Sequence, residues 1–314
     1  MNEHELLILG SEVLKRIALN EEAKAYVLKN EALYELLKKA ANRYIGGTSL
    51  SEAIDKVKNE NEKGLKCSIE FMGENTRNEK EAIEATSEFL RISKSIKDNL
   101  LNSTISLDLS HIGLVISKDL CWKNLSAICT SAEKYGIEVI ISAEGIERTG
   151  EVIETYKWAV KKHNNLSITL QAYLHRTQDD FKDLIKEQGR IRMVKGAFDV
   201  PSEVSLSRGE ELDERYLGYV EQLLSSNHKC SIATHHETIQ HESKKMIELH
   251  KPDRETFEFE SLYGIQTAQL MALKNEGYPT KLYFVYGKEW YLYLCNRIAE
   301  YPLNIFRALN DSVS

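Results

Sequence analysis

Only four prolines punctuate the 314 residues, and no Ser/Gly-rich or low-complexity stretch interrupts them, so no linker is visible. Basic residues are in no excess: Lys and Arg number 41 against 48 Asp and Glu, a net charge of −7. That balance offers no field for gathering nucleic acid or anionic lipid, and neither is expected as a partner. The five cysteines (Cys67, Cys121, Cys129, Cys230, Cys295) are odd in number and scattered. They form no C-x-x-C pair, which suits reduced thiols in a cytosol better than a disulfide framework or a zinc site. No window reaches the ~18 apolar residues of a membrane span. The N-terminal run MNEHELLILGSEVLKR has acids before a short apolar stretch and no small-residue cleavage site, so the chain reads as soluble and cytoplasmic. Neither G-x-G-x-x-G nor H-E-x-x-H occurs, which removes the commonest dinucleotide turn and the zinc-hydrolase motif.

What is present is a change of period. Residues 1–64 carry apolar positions at helical spacing, as in EALYELLKKAANRYIGG, where Leu33, Leu36, Leu37 and Ala40 share a face before a Gly-Gly stop. From Cys67 onward eight β-rich runs follow: CSIEFMG, ISLDLS, IEVIISAE, SITLQAYL, IRMVKGA, CSIATH, TFEFESL and KLYFVYG. Their starts recur every ~25 to 40 residues, the length of one strand, one helix and two loops in a right-handed crossover. The expectation is an α/β chain: an N-terminal helical segment over 1–64, then a (β/α)8 barrel over 65–314. A doubly wound open sheet ranks second.

In such a barrel the working groups sit at the carboxyl ends of the strands. Those ends carry Glu70 and Glu74, Asp108 and His111, Ser142 and Glu144, Gln171 and Tyr173, Arg192 and Lys195, Thr234 and His235, Glu258 and Glu260, and Tyr283 and Tyr286. Within GRIRMVKGAF, Arg192 and Lys195 are three apart, so strand alternation sends one to the mouth and the other toward the helix layer. Gly196, next in line, lets backbone approach a ligand closely. Two cations plus glycine suit an anionic cofactor, and an ion-paired arginine beside a solvated lysine accounts for them equally well. The run SIATHHETIQHESKKMIELH holds four histidines, but His236 and His241 are five apart and off a shared helical face, so no metal site is expected. His235 reads as a neutral hydrogen-bond donor. In the closing YGKEWYLYLCNRIAEYPLN, Tyr291, Tyr293 and Arg297 are expected to face the mouth. Tyr293 and Arg297, four apart, share a helical face that can hold a carboxylate or simply stack.

RMVKGAF, LQAYLHRT, IATHH, FEFESLYGI and the closing YGKEWYLYLCNRIAEYPLN, in that order, are similar to the motifs of the proline dehydrogenase family. The resemblance runs from about Cys67 to Leu309. It implies a barrel that binds FAD and oxidises a C–N bond of proline, a proline derivative or a related amine by hydride transfer to flavin N5. It further implies that Gln171, Arg192, Val194, Lys195, Gly196, Thr234 and His235 contact FAD, with Arg192 near the reactive nitrogen. Tyr283, Tyr293 and Arg297 match the family's substrate-side residues, so Arg192, Tyr283 and Tyr293 are the expected catalytic set, with Tyr293 and Arg297 binding substrate. The resemblance implies a quinone as electron acceptor, with peripheral membrane contact undecided because no basic amphipathic helix declares a membrane surface.

Three substrate-site positions depart from the family pattern. Asp108 in ISLDLS stands where the family has lysine, Ser142 in IISAEG where it has aspartate, and Asn296 where it has the first of two arginines. Phe198 replaces the tyrosine that usually ends the RMVKGAF motif. If the family's lysine and aspartate form an ion pair, replacing both avoids stranding one charge. The pocket also loses positive potential, which weakens the hold on a free carboxylate. Two readings follow: an oxidoreductase with an altered substrate, or a flavin-binding barrel without activity that acts as a binding or regulatory protein.

Overall fold

The computed structural model describes residues 2–313 apart from Ala197, Asp199 and Tyr301; Ala197 of the RMVKGAF motif and Tyr301 of the closing motif thus lie outside the described residues. Eight parallel strands close into a barrel in sequence order. They are β1 (Lys66–Phe71), β2 (Ser103–Leu107), β3 (Val139–Ile141), β4 (Leu166–Gln171), β5 (Ile191–Val194), β6 (Cys230–Ala233), β7 (Phe257–Leu262) and β8 (Thr280–Tyr286), with β8 returning to β1. This is the expected (β/α)8 architecture. Crossover helices are α5 (Glu79–Asp98), α6 (Lys118–Glu133), α7 (Thr149–Ala159), α8 (Thr177–Leu184), α9 (Glu210–Ser225), α10 (Glu237–His250) and α11 (Thr267–Asn275). Four helices precede β1: α1 (Glu3–Ala18), α2 (Glu21–Lys29), α3 (Glu31–Ala41) and α4 (Leu50–Glu62); α12 (Trp290–Glu300) and α13 (Asn304–Val313) follow β8.

Alternation along each strand divides the residues between two environments. The outward set (Ile69, Ile105, Leu107, Val139, Ile168, Ile232, Phe259, Phe284) packs beneath the helices and is fully buried. The inward set is polar and charged, whereas branched apolar residues ordinarily fill such a barrel. At its floor Lys281 is wholly buried and pairs with Glu258 at 2.5 Å and Glu260 at 3.1 Å. Arg190 joins Glu138 at 3.1 Å and Glu258 at 3.6 Å, and Lys66 closes the network on Glu258 at 3.5 Å. The buried charges are tolerable because each has an opposite partner at hydrogen-bonding range. All five cysteines are buried and free.

The helices before the barrel fall into two environments. Leu50, Ala53, Ile54 and Val57 of α4 belong to the barrel's own core. Further out, Ala18, Ala40, Ala41 and Tyr44 form a separate cluster with Trp290, Tyr291, Leu294, Cys295 and Ile298 of α12. One face of α12 is therefore anchored against α1 and α3, and Lys24 clips Glu289 at 2.6 Å just before it. This packing corrects the expectation for Tyr291, which lies in the helical cluster rather than at the mouth. On a helix buried on two sides, spacing alone does not say which apolar face meets which neighbour.

Candidate active site

Arg192 stands on the barrel axis near the carboxyl ends of the strands and is almost wholly buried. Its position follows from register: Thr169 lies beside it on β4 and Ser231 on β6, all on the inward face. Nη2 donates to Ser68 Oγ at 3.0 Å and Ser106 Oγ at 2.8 Å and pairs with Glu260 Oε1 at 2.9 Å; Nε donates to Glu260 Oε2 at 3.1 Å. The Tyr283 ring covers the guanidinium with its centroid 5.2 Å away. A buried cation held from beneath in this way is fixed in orientation, and Lys281 secures Glu260 from below.

Lys195, three residues on, turns toward the helix layer as alternation requires. It pairs with Asp213 of α9, and its Nζ lies 3.3 Å from His236 Nδ1. Gly196 has φ +135°, and a Cβ there would lie 2.3 Å from the Tyr173 ring. The glycine is thus required by the Tyr173 ring packed against it. Gly196 O accepts from Arg208 Nη2 at 3.1 Å, and Val194 O accepts from Ala172 N at 2.8 Å. Gln171, paired with Val194 in register, donates to Glu144 O at 3.2 Å. Thr234 Oγ1 accepts from His236 N at 3.1 Å and Thr234 O from Gln240 at 2.7 Å, which shapes the start of α10. Burial, reinforced by Arg297, Arg208 and other cations, pushes His235 down to about 4, so its imidazole is neutral at physiological pH.

On the opposite side of the mouth the groups are acidic. Glu70 Oε2 accepts from Ser142 Oγ at 2.6 Å, and the Tyr283 hydroxyl faces the same carboxyl. Burial raises Glu70 above the usual carboxylate range despite those donors. Asp108 is half-buried and raised further, by burial first and then by Glu70, Glu144 and Glu74. Glu144 is committed to the loop after β2, accepting from Ser110 N at 3.1 Å. Over this group, α12 presents Tyr293 and Arg297, the guanidinium carbon 5.0 Å from the ring centroid. Arg297 Nη2 pairs with Glu300 at 2.6 Å, while its Nε and the Tyr293 hydroxyl are buried and make no hydrogen bond among the described residues. Asn296 sits half-buried beside them.

Three strand-end residues do other work. Glu258 belongs to the floor network. Tyr286 faces outward, donating to Glu88 of α5 at 2.7 Å. His111 is buried between Phe71 and Phe89, and burial lowers it to about 4. The histidines of the THH run do not converge: His236 meets Asp213 at 3.4 Å and His250 meets Glu221 at 3.5 Å. Among the described residues no cluster of three metal-ligating side chains exists. Sequence reasoning missed Ser68, Ser106 and Lys281, which position Arg192 or its partner, and Glu300, which pairs with Arg297. The signal was there: Ser68 is two residues before Glu70 and Lys281 two before Tyr283, hence on the same inward faces.

The mouth thus opposes donor groups on β4 to β6 with polar atoms on α12 that have no partner among the described residues. A family model for proline dehydrogenase matches residues 53–301. Proline dehydrogenase 2 of Bacillus subtilis (strain 168) is 34% identical over 266 residues, covering 85% of this chain and 88% of that protein. Proline dehydrogenase 1 of the same strain is 32% identical over 265 residues, covering 84% and 87%. The crystal structure of proline utilization A from Bdellovibrio bacteriovorus, inactivated by N-propargylglycine, superposes with a TM-score of 0.78. It is 16% identical, with 95% of this chain matched to 42% of that one, and so speaks for the fold alone. The chain belongs to the proline dehydrogenase family, a family of flavin-dependent oxidoreductases. Nothing in these matches supports the reading of a barrel without activity. Among the described residues no helix is long and apolar enough to cross a membrane.

Proposed function

We propose that the protein is an FAD-dependent dehydrogenase acting on the C–N bond of proline, a proline derivative or a related cyclic amine. The observation that carries this reading is the fixed guanidinium of Arg192 on the barrel axis, with unpartnered Tyr293 and Arg297 atoms across from it. Gln171, Arg192, Val194, Lys195, Gly196, Thr234 and His235 would hold the flavin, and this donor-rich set fits a cofactor that gains negative charge. Bound flavin supplies the two-electron acceptor for hydride leaving the carbon next to nitrogen. Arg192 stabilises negative charge at its end of the mouth without needing to reorient, because Ser68, Ser106 and Glu260 already fix it. Tyr283 and Tyr293 wall the substrate between Arg192 and α12, and Arg297 orients it. Glu70 keeps Ser142 and Tyr283 aimed inward. The reading includes a quinone as the second acceptor, at a membrane surface or in solution.

The test is direct. Purified protein supplied with FAD is followed anaerobically by flavin absorbance as proline, hydroxyproline and decarboxylated amines are added, then quinone analogues. Bleaching by at least one cyclic amine is expected, with colour returning on quinone addition. A protein that takes up no FAD, or a flavin that no such amine bleaches, refutes the reading.

A further inference from the structure

The two guanidiniums facing the mouth are already matched, Arg192 by Glu260 at 2.9 Å and Arg297 by Glu300 at 2.6 Å. The carboxyls on the other side stand in no ion pair among the described residues, although the Arg192 charge acts on Glu70. Glu70 receives hydroxyl donors only, Glu74 lies exposed at the rim, and Glu144 has Arg148 nearby. Asp108, between them, has no cation and no side-chain hydrogen bond among the described residues. The charges that act on Asp108 are those of Glu70, Glu144 and Glu74. Such an arrangement is costly unless a ligand supplies the missing positive charge or donor. That ligand has a place to sit, since the Tyr293 hydroxyl and Arg297 Nε are buried opposite without partners among the described residues.

We propose that Asp108 is a specificity residue that selects cyclic secondary amines whose carboxylate is removed or masked as an amide, its carboxylate accepting the donor or cation that stands in the carboxylate's place. The inference rests on the dehydrogenase reading above and narrows its substrate. A free carboxylate entering this pocket meets Glu70 and Asp108, and the two guanidiniums there, Arg192 and Arg297, are already engaged by Glu260 and Glu300. An amide N–H or a ring ammonium meets two acceptors. Three side chains here act in one direction: Asp108 is a carboxyl, Ser142 supplies Glu70 with a neutral donor, and Asn296 brings no positive charge.

The experiment uses the FAD-supplied protein and two ligands of one shape that carry no oxidisable amine carbon, cyclopentanecarboxylate and cyclopentanecarboxamidine. Titration calorimetry is expected to show the amidinium binding about 10- to 100-fold tighter, the worth of one charge-assisted hydrogen bond. Asp108→Asn should remove most of that preference while flavin content is retained. Flavin reduction by prolinamide or pyrrolidine should exceed reduction by proline at equal concentration. The double variant Asp108→Lys with Ser142→Asp should invert the order. Equal or tighter binding of the carboxylate to the unaltered protein overturns the inference, and that measurement needs no variant to fold. Rapid bleaching by proline with the amide inert also overturns it while leaving the dehydrogenase reading intact. Failure of every amine to bleach the flavin refutes the parent reading, and the calorimetric preference is still read independently.

Discussion

Replacing Lys281 with methionine tests whether the charged barrel floor supports the site above it. The side chain is wholly buried and lies 2.5 Å from Glu258 and 3.1 Å from Glu260. Methionine keeps the length and deletes the charge, so two buried carboxylates lose a partner together. Neither is stranded: Glu258 retains Arg190 at 3.6 Å and Ser231 at 2.7 Å, and Glu260 retains Arg192 at 2.9 Å. Breaking a buried pair costs about 3–5 kcal/mol, and the surviving guanidiniums place this case near the lower end, ~3 kcal/mol. A chain of this size should then lose roughly 5 °C or more in Tm. Circular dichroism during urea and thermal unfolding reads the loss, and the absorbance ratio of bound flavin to protein reads the effect on Arg192. The double variant Lys281→Met with Glu258→Gln should recover at least ~1 kcal/mol, because it removes a charge that the single variant leaves underpaired. A single variant within about 1 °C of the parent protein refutes the reasoning.

Gly196→Ala forces φ +135° on a residue with a Cβ and drives that atom into the Tyr173 ring; flavin content after purification should fall several-fold with little change in the far-ultraviolet spectrum. Tyr293→Phe removes a buried hydroxyl that no described residue satisfies, so stability should hold or rise by up to ~1 kcal/mol in urea titration while KM for the amine substrate increases. Stability against acid has a defined window. Neighbouring Arg190, Lys281 and Lys66 overcome burial and hold Glu138 down to about 2, and Glu258 is lowered the same way. A carboxylate whose folded value is depressed stabilises the protein above its unfolded value of ~4.3 and loses that contribution as pH falls through the folded one. Acid unfolding followed by circular dichroism should therefore steepen below pH ~4.3, and a Glu138→Gln variant should show a shallower slope there.

The barrel was legible because its strands are punctuated regularly and each is apolar on one face. TFEFESL announced Phe257–Leu262 and KLYFVYG announced Thr280–Tyr286. Depth was less legible. Glu258 and Glu260 point the same way, yet one belongs to the floor and the other to the site, and only the stagger between neighbouring strands separates them. Tyr286 was misplaced although the pattern contained the answer: Tyr283 and Val285 fix the inward parity of β8, and Tyr286 falls on the other side. Tyr291 was beyond reach, because α12 is covered both by the barrel mouth and by α1 and α3, and no single-sequence pattern assigns its two faces. The partners of Lys195 and Arg297, Asp213 and Glu300, came from crossover and terminal helices whose surface charges look alike in sequence.

These contacts also distinguish the two halves of the mouth by how far each is tied into the barrel. Arg192 is tied to Ser68, Ser106, Glu260 and, through Glu260, to Lys281, so changing it disturbs a buried network at the centre of the fold. The network that positions the donor set therefore also stabilises the barrel. Asp108, Asn296 and the Tyr293 hydroxyl make no such ties among the described residues. A charge reversal at position 108 alters what the pocket accepts and breaks no pair within the barrel. Ser142 shows the limit of that freedom: it donates to Glu70, and a carboxylate there would face another carboxylate unless position 108 supplied a cation. Positions 108 and 142 are thus coupled through Glu70, and a single change at either should lose more substrate affinity than the paired change.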